Sequence, residues 1–342
     1  MDKPLVSVVI PVYNIPDDLF KECVDSLSNQ TLREIELIFV NDASPNPNNL
    51  KYLGEKRVVD NRFKIISLEI NKGVSNARNI GIEIAQSEYI GFVDADDCVH
   101  PEMYEKLYNA ARKHNADIVA CGVECIRADG SSTISGYGDI IRDLSTDEDF
   151  YYIYHFALRG VYDKIFRKKM LSTRFETELS NYEDLLFNCQ NFFKAKKFVT
   201  ISDILYTYKF RVDSASRKGL GAKQINSILT ATTNMLYFTR EIEEQYSKTS
   251  HYLIYRLLFM SALDRALYPY LRFADTAIYY QFLKTLKNRI GGFPLIYRKI
   301  LRIYLNLKLS PKNLRRLKGR LSPYYVLTKY IFKRYRIDSN TK

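Results

Sequence analysis

The chain has 342 residues, 46% of them hydrophobic, and this composition excludes a disordered protein. Its five irregularly spaced cysteines form no metal-ligand quartet, its N-terminus lacks a signal-peptide pattern, and no apolar stretch reaches the roughly 18 residues of a transmembrane helix. The net charge of +12 arises in a C-terminal segment that carries 16 of the 51 Lys and Arg residues and no Asp or Glu. We therefore expect a cytoplasmic globular protein with an anionic partner for that segment.

The first half of the chain alternates strand-like and helix-like patterns. Apolar runs predict strands at residues 6–11, 35–40, 63–68, 89–93 and 118–123, and apolar residues at helical spacing predict helices at 17–28, 74–85 and 102–113. This alternation is typical of βαβ units, so we predict an α/β domain with a mostly parallel sheet flanked by helices. We assign residues 1–219 to this domain and residues 220–342 to a basic, Tyr-rich helical region.

An acidic cluster, Asp94, Asp96 and Asp97, follows the strand predicted at 89–93. Carboxylates at the end of a buried strand are costly unless a cation is held there. Mg²⁺ and Mn²⁺ prefer carboxylate oxygens and usually bind through one or two of them plus substrate phosphates. The cluster therefore predicts a metal–diphosphate site, and a solvated acidic turn that caps the next helix is the alternative.

Polar residues also follow the first two predicted strands, at Tyr13 and Asn14 and at Asn41 and Asp42. Ligands of parallel α/β sheets bind beyond the carboxyl ends of the strands. We therefore expect these strand ends and the acidic cluster to converge on one crevice.

Six motifs occur in order along the chain: VVIPVYN at 8–14, VNDAS at 40–44, NKGVSNARN at 71–79, DADD at 94–97, VYDKIF at 161–166 and YEDLLF at 182–187. Together they resemble the family 2 glycosyltransferases, whose fold is called GT-A, over roughly residues 4–216. The resemblance implies inverting transfer of a sugar from a nucleotide donor, with a UDP-sugar favoured, and a glycan or lipid-linked acceptor in cell-surface polysaccharide synthesis.

The resemblance also implies a donor site. Asp42 would accept the imino N–H of a uracil, and Arg78 would approach the base or the diphosphate, although a turn-capping Asp and a surface Arg are the structural alternatives. Lys164 would lie near the diphosphate. The other residues implied at the nucleotide sugar are Pro11, Val12, Tyr13, Asn14, Asn71, Ser75, Asp94 and Ala95.

The resemblance assigns separate tasks to the carboxylates. Asp96 would bind Mn²⁺ or Mg²⁺ directly, and Asp94 would contact the ribose or the water shell of the metal. Asp97 would cap the following helix or steady the loop. In the Glu183-Asp184 pair, Asp184 would be the base that takes the proton of the acceptor hydroxyl and Glu183 would orient the acceptor or the loop. Carboxylates that merely complement a helix dipole are the alternative for this pair.

The C-terminal segment from Lys284 to Arg336 contains two stretches, 293–309 and 324–336, in which basic residues oppose apolar residues at helical spacing. Basic amphipathic helices suit an anionic membrane surface, where each Lys or Arg adds about 1 kcal/mol. We therefore expect peripheral attachment to the cytoplasmic face of a membrane. The alternatives are helices that pack on the catalytic domain and a homo-oligomer contact; a nucleic-acid partner is disfavoured.

Competing functions leave parts of this pattern unexplained. A sugar nucleotidyltransferase usually has a Gly-rich loop after its first strand, where this chain has Pro11 to Asn14. A phosphatase with Asp94 as nucleophile would not use Asp42 or the Glu183-Asp184 pair. A non-catalytic RNA-binding protein that uses the basic tail is the alternative from a different class.

Overall fold

The computed structural model describes residues 3–136, 138–144, 160–179, 182–192 and 194–210, together with residues 230, 231 and 234. The chain divides into two units, Met1–Ser216 and Arg217–Lys342. The domain boundary at residue 219, the basic amphipathic stretches and their membrane contact lie outside the described residues and remain predictions.

The first unit contains strands and helices in alternation. Its described strands are β1 (Val6–Val12), β2 (Ile35–Asn41), β3 (Phe63–Ser67), β4 (Tyr89–Phe92), β5 (Cys98–Val99), β6 (Ile118–Ile126), β7 (Ser132–Ser135), β8 (Ile140–Asp143), β9 (Lys164–Arg167) and β10 (Lys197–Lys209). Its described helices are α1 (Asp17–Ser28), α2 (Pro47–Val59), α3 (Val74–Ile84), α4 (Met103–His114) and α5 (Glu183–Phe192). All eight elements predicted in the first half are present, with ends that differ by at most three residues.

The strands form one sheet in the order β3-β2-β1-β4-β9-β6-β10-β5, with β7 beside β6 and β8 beside β10. The first four strands of this order are parallel to one another. Strand β9 is antiparallel to both β4 and β6, and β10 is parallel to β6. The predicted α/β class with a mostly parallel central sheet is confirmed.

This topology brings several chain segments to one edge of the sheet. The carboxyl ends of β1, β2, β4, β6 and β10 lie there, and so does the amino end of β9, because that strand runs the other way. We call this the carboxyl edge. Ligand sites of α/β sheets occur at such edges, so the expected convergence of polar strand ends is realised here.

Helix α1 shows how the pattern of the sequence fixes the packing. Its buried residues are Phe20, Cys23, Val24 and Leu27, which share one face at helical spacing. Phe20 meets Phe39 of β2 edge to face, with ring centroids 6.4 Å apart. Asp17 and Asp18 in the first turn complement the helix dipole. Full burial of each large apolar side chain on this face contributes about 1.5–3 kcal/mol.

Sequence patterns did not predict helix α2 or strands β5 and β7 to β10. Helix α2 buries only Asn49 and Leu53, so it has almost no apolar stripe to detect. It is defined by Asn46 instead, whose side chain accepts a hydrogen bond from the backbone of Asn48, with Pro47 at the first helical position. Strand β5 has two residues, which is too short for any periodicity.

A second aromatic core lies between β4, β9 and α5. It consists of Phe92, Phe166, Phe175 and Phe187, and Phe175 stacks on Phe187 with ring centroids 4.0 Å apart. These rings fix the position of α5 against the sheet. Because α5 begins at Glu183, the packing also fixes the predicted catalytic pair.

Among the described residues, we find no helix with the length and apolar character needed to span a bilayer.

Candidate active site

The ends of β1 and β2 are joined at the carboxyl edge. The backbone N–H of Asn14 donates to Ser44 Oγ at 2.9 Å, and the Ser44 N–H donates to Asn41 Oδ1 at 3.0 Å. Asn14 and Ala43 both adopt positive φ, near 50°, a conformation that non-glycine residues adopt mainly in tight turns. These turns leave Val12 buried and Tyr13 48% exposed, so Tyr13 is accessible for the contact with a nucleotide sugar that the resemblance implies.

Asp42 is buried and anchors the loop that leads into α3. Its two carboxylate oxygens accept the backbone N–H groups of Lys72 and Gly73, each at 2.8 Å. Asn71 Nδ2 donates to the Asp42 carbonyl oxygen at 3.2 Å. Gly73 has φ of +89°, a conformation that costs an L side chain strain, so glycine is favoured at this position. The structure thus brings Asp42 and Asn71 together, and the contact of Asp42 with uracil remains a prediction.

The acidic cluster divides into exposed and buried carboxylates. Asp94 and Asp96 are partly exposed, whereas Ala95 and Asp97 are buried. Asp97 accepts hydrogen bonds from the Tyr206 hydroxyl at 2.7 Å and from the Lys209 backbone N–H at 2.8 Å. Burial and the negative charges of Asp94 and Asp96 raise the pKa of Asp97 well above its usual value. Asp97 therefore steadies the loop against β10, and α4 begins at Met103 without a side-chain cap.

The donor atoms at the end of β4 fit a divalent cation. Asp94 and Asp96 supply carboxylate oxygens, which Mg²⁺ and Mn²⁺ prefer. A carboxylate has two oxygens with about four lone-pair positions, so Asp94 can bind an arginine and a cation together. No group of three or more Asp, Glu, His or Cys residues arranged for a metal occurs in the described part of the chain. Two protein carboxylates completed by diphosphate oxygens are the arrangement that these residues fit.

Arg78 of α3 joins the acidic cluster to the start of α5. Its Nη2 donates to Asp94 Oδ1 and its Nη1 donates to Glu183 Oε1, both at 2.9 Å. The side chain is almost completely buried, and its Nε is enclosed without a hydrogen-bond partner. The guanidinium was predicted to approach a base or a diphosphate. In the structure it pairs with two carboxylates, Asp94 at the predicted donor side and Glu183 beside the predicted base.

A fixed aromatic ring supports this arginine. The guanidinium carbon lies 5.2 Å from the centroid of the Phe175 ring, a cation–π contact. Asn79 holds Phe175 from the next position of α3: its Nδ2 donates to the Phe175 carbonyl at 2.8 Å, and its Oδ1 accepts the Phe175 N–H at 2.9 Å. Arg78 is therefore held by the Phe175 ring, which lies against its guanidinium, and by the two carboxylates that accept from its Nη atoms.

The first turn of α5 carries the predicted base. Tyr182, immediately before the helix, has φ of 67°, an uncommon conformation for a bulky residue and one that clusters at functional sites. The Leu185 N–H donates to Asp184 Oδ1 at 2.7 Å. Burial and the negative charge of Asp184 raise the pKa of Glu183, and Arg78 opposes that rise. Glu183 and Asp184 thus lie with Asp94 and Arg78 in one group.

Lys164 and Ser75, two residues predicted at the nucleotide-sugar donor, are both buried. Lys164 is fully buried, where its Nζ pairs with Asp163 and donates to the Gly160 carbonyl at 2.7 Å. Burial and this ion pair favour a structural role for Lys164, and its predicted position near the diphosphate stays a prediction. Ser75 is buried in the first turn of α3, and its Oγ has no hydrogen-bond partner.

Sequence reasoning missed the residues that support the site. Tyr206 binds the acidic cluster, and Phe175 and Asn79 hold Arg78. Asn79 is the last residue of the motif at 71–79, and its place next to Arg78 in that motif could have indicated a supporting role. Tyr206 gave no such signal, because it lies 109 residues from its partner Asp97. Residues 211–214 lie outside the described residues.

Comparison with known proteins identifies the family. Residues 7–175 match the model for glycosyl transferase family 2. EpsJ, an uncharacterized glycosyltransferase of Bacillus subtilis (strain 168), is 32% identical over 60% of this chain and 61% of its own length. YibD, an uncharacterized glycosyltransferase of Escherichia coli (strain K12), is 32% identical over 70% of each chain. The poly(ribitol-phosphate) beta-glucosyltransferase of Bacillus spizizenii is 31% identical over 61% of this chain but only 32% of its own length.

A solved structure shares the fold. The crystal structure of S. aureus TarS 1-349 in complex with UDP-GlcNAc has a TM-score of 0.68 and 18% identity, and the match covers 98% of this chain and 93% of that one. At this identity the likeness establishes the GT-A fold that the motifs implied. The family model and the relatives together with the ordered motifs show that the chain belongs to glycosyl transferase family 2.

Proposed function

We propose that the chain is a metal-dependent inverting glycosyltransferase that moves a sugar from a UDP-sugar to a hydroxyl of a glycan or lipid-linked oligosaccharide in cell-surface polysaccharide synthesis. One observation carries this proposal. Arg78 contacts Asp94, beside the predicted metal ligand Asp96, and Glu183, beside the predicted base Asp184. Groups suited to a leaving diphosphate and to an attacking hydroxyl therefore lie in the same crevice.

The mechanism follows from these positions. Asp184 accepts the proton of the acceptor hydroxyl while the hydroxyl oxygen bonds to the anomeric carbon of the donor sugar. The bond from that carbon to the diphosphate oxygen breaks in the same displacement, which inverts the anomeric configuration. Asp94 and Asp96 would hold Mn²⁺ or Mg²⁺, which supplies stabilisation of the charge on the departing nucleoside diphosphate.

Arg78 and Glu183 position the reacting groups. Glu183 is 12% exposed and paired, so it orients the first turn of α5 while Asp184 acts on the acceptor. Rigid positioning of reactants supplies several kcal/mol of a reaction barrier, and small displacements lose much of it. The pair between Arg78 and Glu183 therefore supports Asp184 without a proton transfer of its own.

The donor and acceptor classes rest on relatives. TarS was crystallised with UDP-GlcNAc, which favours a UDP-sugar here. One relative is named as a poly(ribitol-phosphate) beta-glucosyltransferase, which supports a polymer as the acceptor here. Family membership disfavours a sugar nucleotidyltransferase, because the relatives are glycosyltransferases.

Peripheral membrane attachment through Lys284 to Arg336 is part of the proposal and rests on the charge pattern of that segment. Flotation of the full chain and of a chain that ends before residue 284 with anionic vesicles tests it. We expect only the full chain to float, less so at high salt. Equal flotation of both proteins would contradict the attachment. RNA binding with a steep salt dependence and no nucleotide-sugar turnover would favour the alternative function.

A donor-hydrolysis screen tests the function. The full chain is incubated with Mn²⁺ and common UDP- and GDP-sugars, and nucleoside diphosphate release is measured for wild type, Asp96→Ala and Asp184→Asn. We expect hydrolysis of one UDP-sugar that EDTA abolishes and that each substitution reduces at least about 100-fold. Asp129→Asn, in an exposed turn, is the matched control and should keep wild-type activity. Turnover unaffected by either substitution at the site would overturn the proposed mechanism.

A further inference from the structure

Three tyrosines lie together at the carboxyl edge and have no part in the mechanism above. Tyr162 comes just before β9, and Tyr206 and Tyr208 lie near the end of β10. The Tyr162 ring stacks on that of Tyr206, with centroids 4.6 Å apart and an interplanar angle of 25°. It also lies nearly parallel to the Tyr208 ring, at 5.9 Å and 24°. We call these three rings the tyrosine stack.

The stack is anchored to the acidic cluster. The hydroxyl of Tyr206, which is fully buried, donates to Asp97 and accepts the Asp94 backbone N–H at 3.3 Å. Gly160 permits the close approach of the chain to Tyr162, since a Cβ atom at Gly160 would lie 2.1 Å from Tyr162 Cε1. The rings are therefore held rigidly, and Tyr162 and Tyr208 remain partly exposed.

Strand order places the stack on one side of the metal site. The nucleotide residues predicted at the ends of β1 and β2 lie to one side of β4, which carries Asp94. Strands β9 and β10, with Tyr162 and Tyr208, lie to the other side. In strand order, the acidic cluster of β4 therefore lies between the predicted nucleotide residues and the stack, which leaves the side of the stack for the acceptor.

The charge around the stack is negative. Burial raises the pKa of Tyr162, and the carboxylates of Asp163, Asp94 and Asp184 raise it further. The predicted metal ligand Asp94 and the predicted base Asp184 thus both act electrostatically on this ring.

We propose that Tyr162 and Tyr208 form a platform for a pyranose ring of the acceptor, a proposal that rests on the proposed function. The flat face of a pyranose presents C–H groups, which interact favourably with the negative face of an aromatic ring. Sites for small polar molecules combine such aromatic walls with a few polar groups that fix orientation, and Asp184 is the polar group here. The acceptor therefore presents a sugar ring at this site.

An acyclic polyol phosphate fits the platform poorly. Each bond of its carbon chain rotates freely, so binding must immobilise many torsions, whereas a pyranose is already rigid. A polyol also lacks a continuous C–H face. The platform consequently distinguishes this chain from an enzyme whose acceptor is a polyol chain.

Saturation-transfer NMR titrations with the full chain test the platform. The probes are the methyl β-pyranosides of glucose, galactose and N-acetylglucosamine, and ribitol 5-phosphate is the acyclic control. We expect at least one pyranoside to bind wild type more tightly than ribitol 5-phosphate does. Tyr162→Phe keeps the ring and should change the dissociation constant less than about threefold, whereas Tyr162→Leu should raise it at least about tenfold.

Matched controls separate binding from folding. Tyr108→Leu removes a ring that meets Tyr89 at the opposite edge of the sheet and should bind the pyranoside as wild type does. Thermal melting and UDP binding report the fold of each variant, and Tyr208→Leu decides the question if Tyr162→Leu does not fold. Pyranoside binding that survives loss of the ring, or no pyranoside binding by wild type, would overturn the platform. Ring-dependent binding without hydrolysis of any nucleotide sugar would overturn the proposed function and leave the platform standing.

Discussion

Two buried arginines on opposite edges of the sheet show how the same side chain serves stability and function. Arg78 and Arg167 are both 5% exposed. Each guanidinium also lies over an aromatic ring, 5.2 Å from the centroid of Phe175 and 5.1 Å from that of Tyr89, respectively. Burial and ring contact are therefore alike, and the difference lies in their hydrogen-bond partners.

Arg167 is saturated by partners that hold the fold. Its Nε donates to Asp117 at 3.1 Å, its Nη1 donates to Glu88 at 2.5 Å, and its Nη2 donates to Asn115 and to the Ala116 carbonyl, both at 2.8 Å. These partners join the start of β4 and the start of β6 to the end of β9. All three of its nitrogens are used.

Arg78 is incompletely satisfied by comparison. It binds two carboxylates and leaves Nε buried without a partner. Buried unsatisfied groups are uncommon in folded proteins and are often found where function imposes a constraint. Asp94 and Glu183 both pair with this one guanidinium. Incomplete pairing, and not burial, therefore distinguishes Arg78, to which we assign a role in catalysis, from Arg167.

Arg78→Lys should have the largest effect on activity. A single ammonium cannot bridge Asp94 and Glu183 as the guanidinium fork does, so one of these two carboxylates loses its ion pair. We expect kcat/KM for donor hydrolysis to fall about 100- to 1000-fold, roughly 3–4 kcal/mol of transition-state stabilisation. Steady-state kinetics measures the loss. A variant with wild-type kcat/KM would show that Arg78 is merely structural.

Arg167→Lys should reverse this pattern. The ammonium cannot reach the four partners on its edge, and we expect the free energy of unfolding to fall by about 2–4 kcal/mol. The kcat/KM of the folded protein should stay within twofold of wild type, because the partners of Arg167 lie at the opposite edge of the sheet from Asp94 and Glu183. Urea unfolding measures the stability. A stable but inactive variant would contradict a structural role for Arg167.

Glu36→Gln tests stability at the same edge as Arg167. The buried Glu36 carboxylate accepts from Ser7 Oγ and from the Gln86 N–H, and it pairs with Lys64. The amide keeps one acceptor oxygen and loses the charge, so we expect a loss of about 1–2 kcal/mol in the free energy of unfolding. Urea titration at constant pH checks this. Unchanged stability would contradict a structural role for this network.

Gly73→Ala should have the smallest effect and should act on the donor. At φ of +89° an alanine costs about 1 kcal/mol of strain, although no atom would meet its Cβ within 4 Å. Because Gly73 donates to Asp42, we expect KM for the donor to rise a few-fold while kcat changes little. Gly54→Ala in α2 is the matched control and should stabilise the protein by about 0.5–1 kcal/mol. A donor KM that Gly73→Ala leaves unchanged would contradict a role for this loop in binding the nucleotide.

The sequence predicted five strands and three helices of the first half, and the strand-end carboxylates, because each depends on local pattern. Apolar runs and the βαβ order determine β1 to β4 and α3, and Asp94 to Asp97 follow directly from β4. The Arg78–Glu183 pair could not be predicted in this way. Its residues are 105 positions apart, and their meeting depends on the packing of α5 on the second aromatic core.

The antiparallel strand β9 explains the remaining differences. Its pattern is a short motif without alternation, and its position between β4 and β6 is set by tertiary pairing. The same strand buries Lys164 with Asp163, a pairing that the motif did not indicate. It also brings Tyr162 to the carboxyl edge, and the sequence alone indicated no role for this ring.

A double-mutant cycle with Arg78→Lys and Glu183→Gln, measured as kcat/KM for donor hydrolysis, tests most directly whether Arg78 acts by holding Glu183 and the base beside it. Arg78→Lys with Glu36→Gln is the reference pair on opposite edges, and Glu36→Gln should leave kcat/KM unchanged in either background because it acts on stability. We predict that the double variant at the site is no more than about threefold less active than Arg78→Lys alone. A loss in the double variant equal to the product of the two single losses would contradict the account.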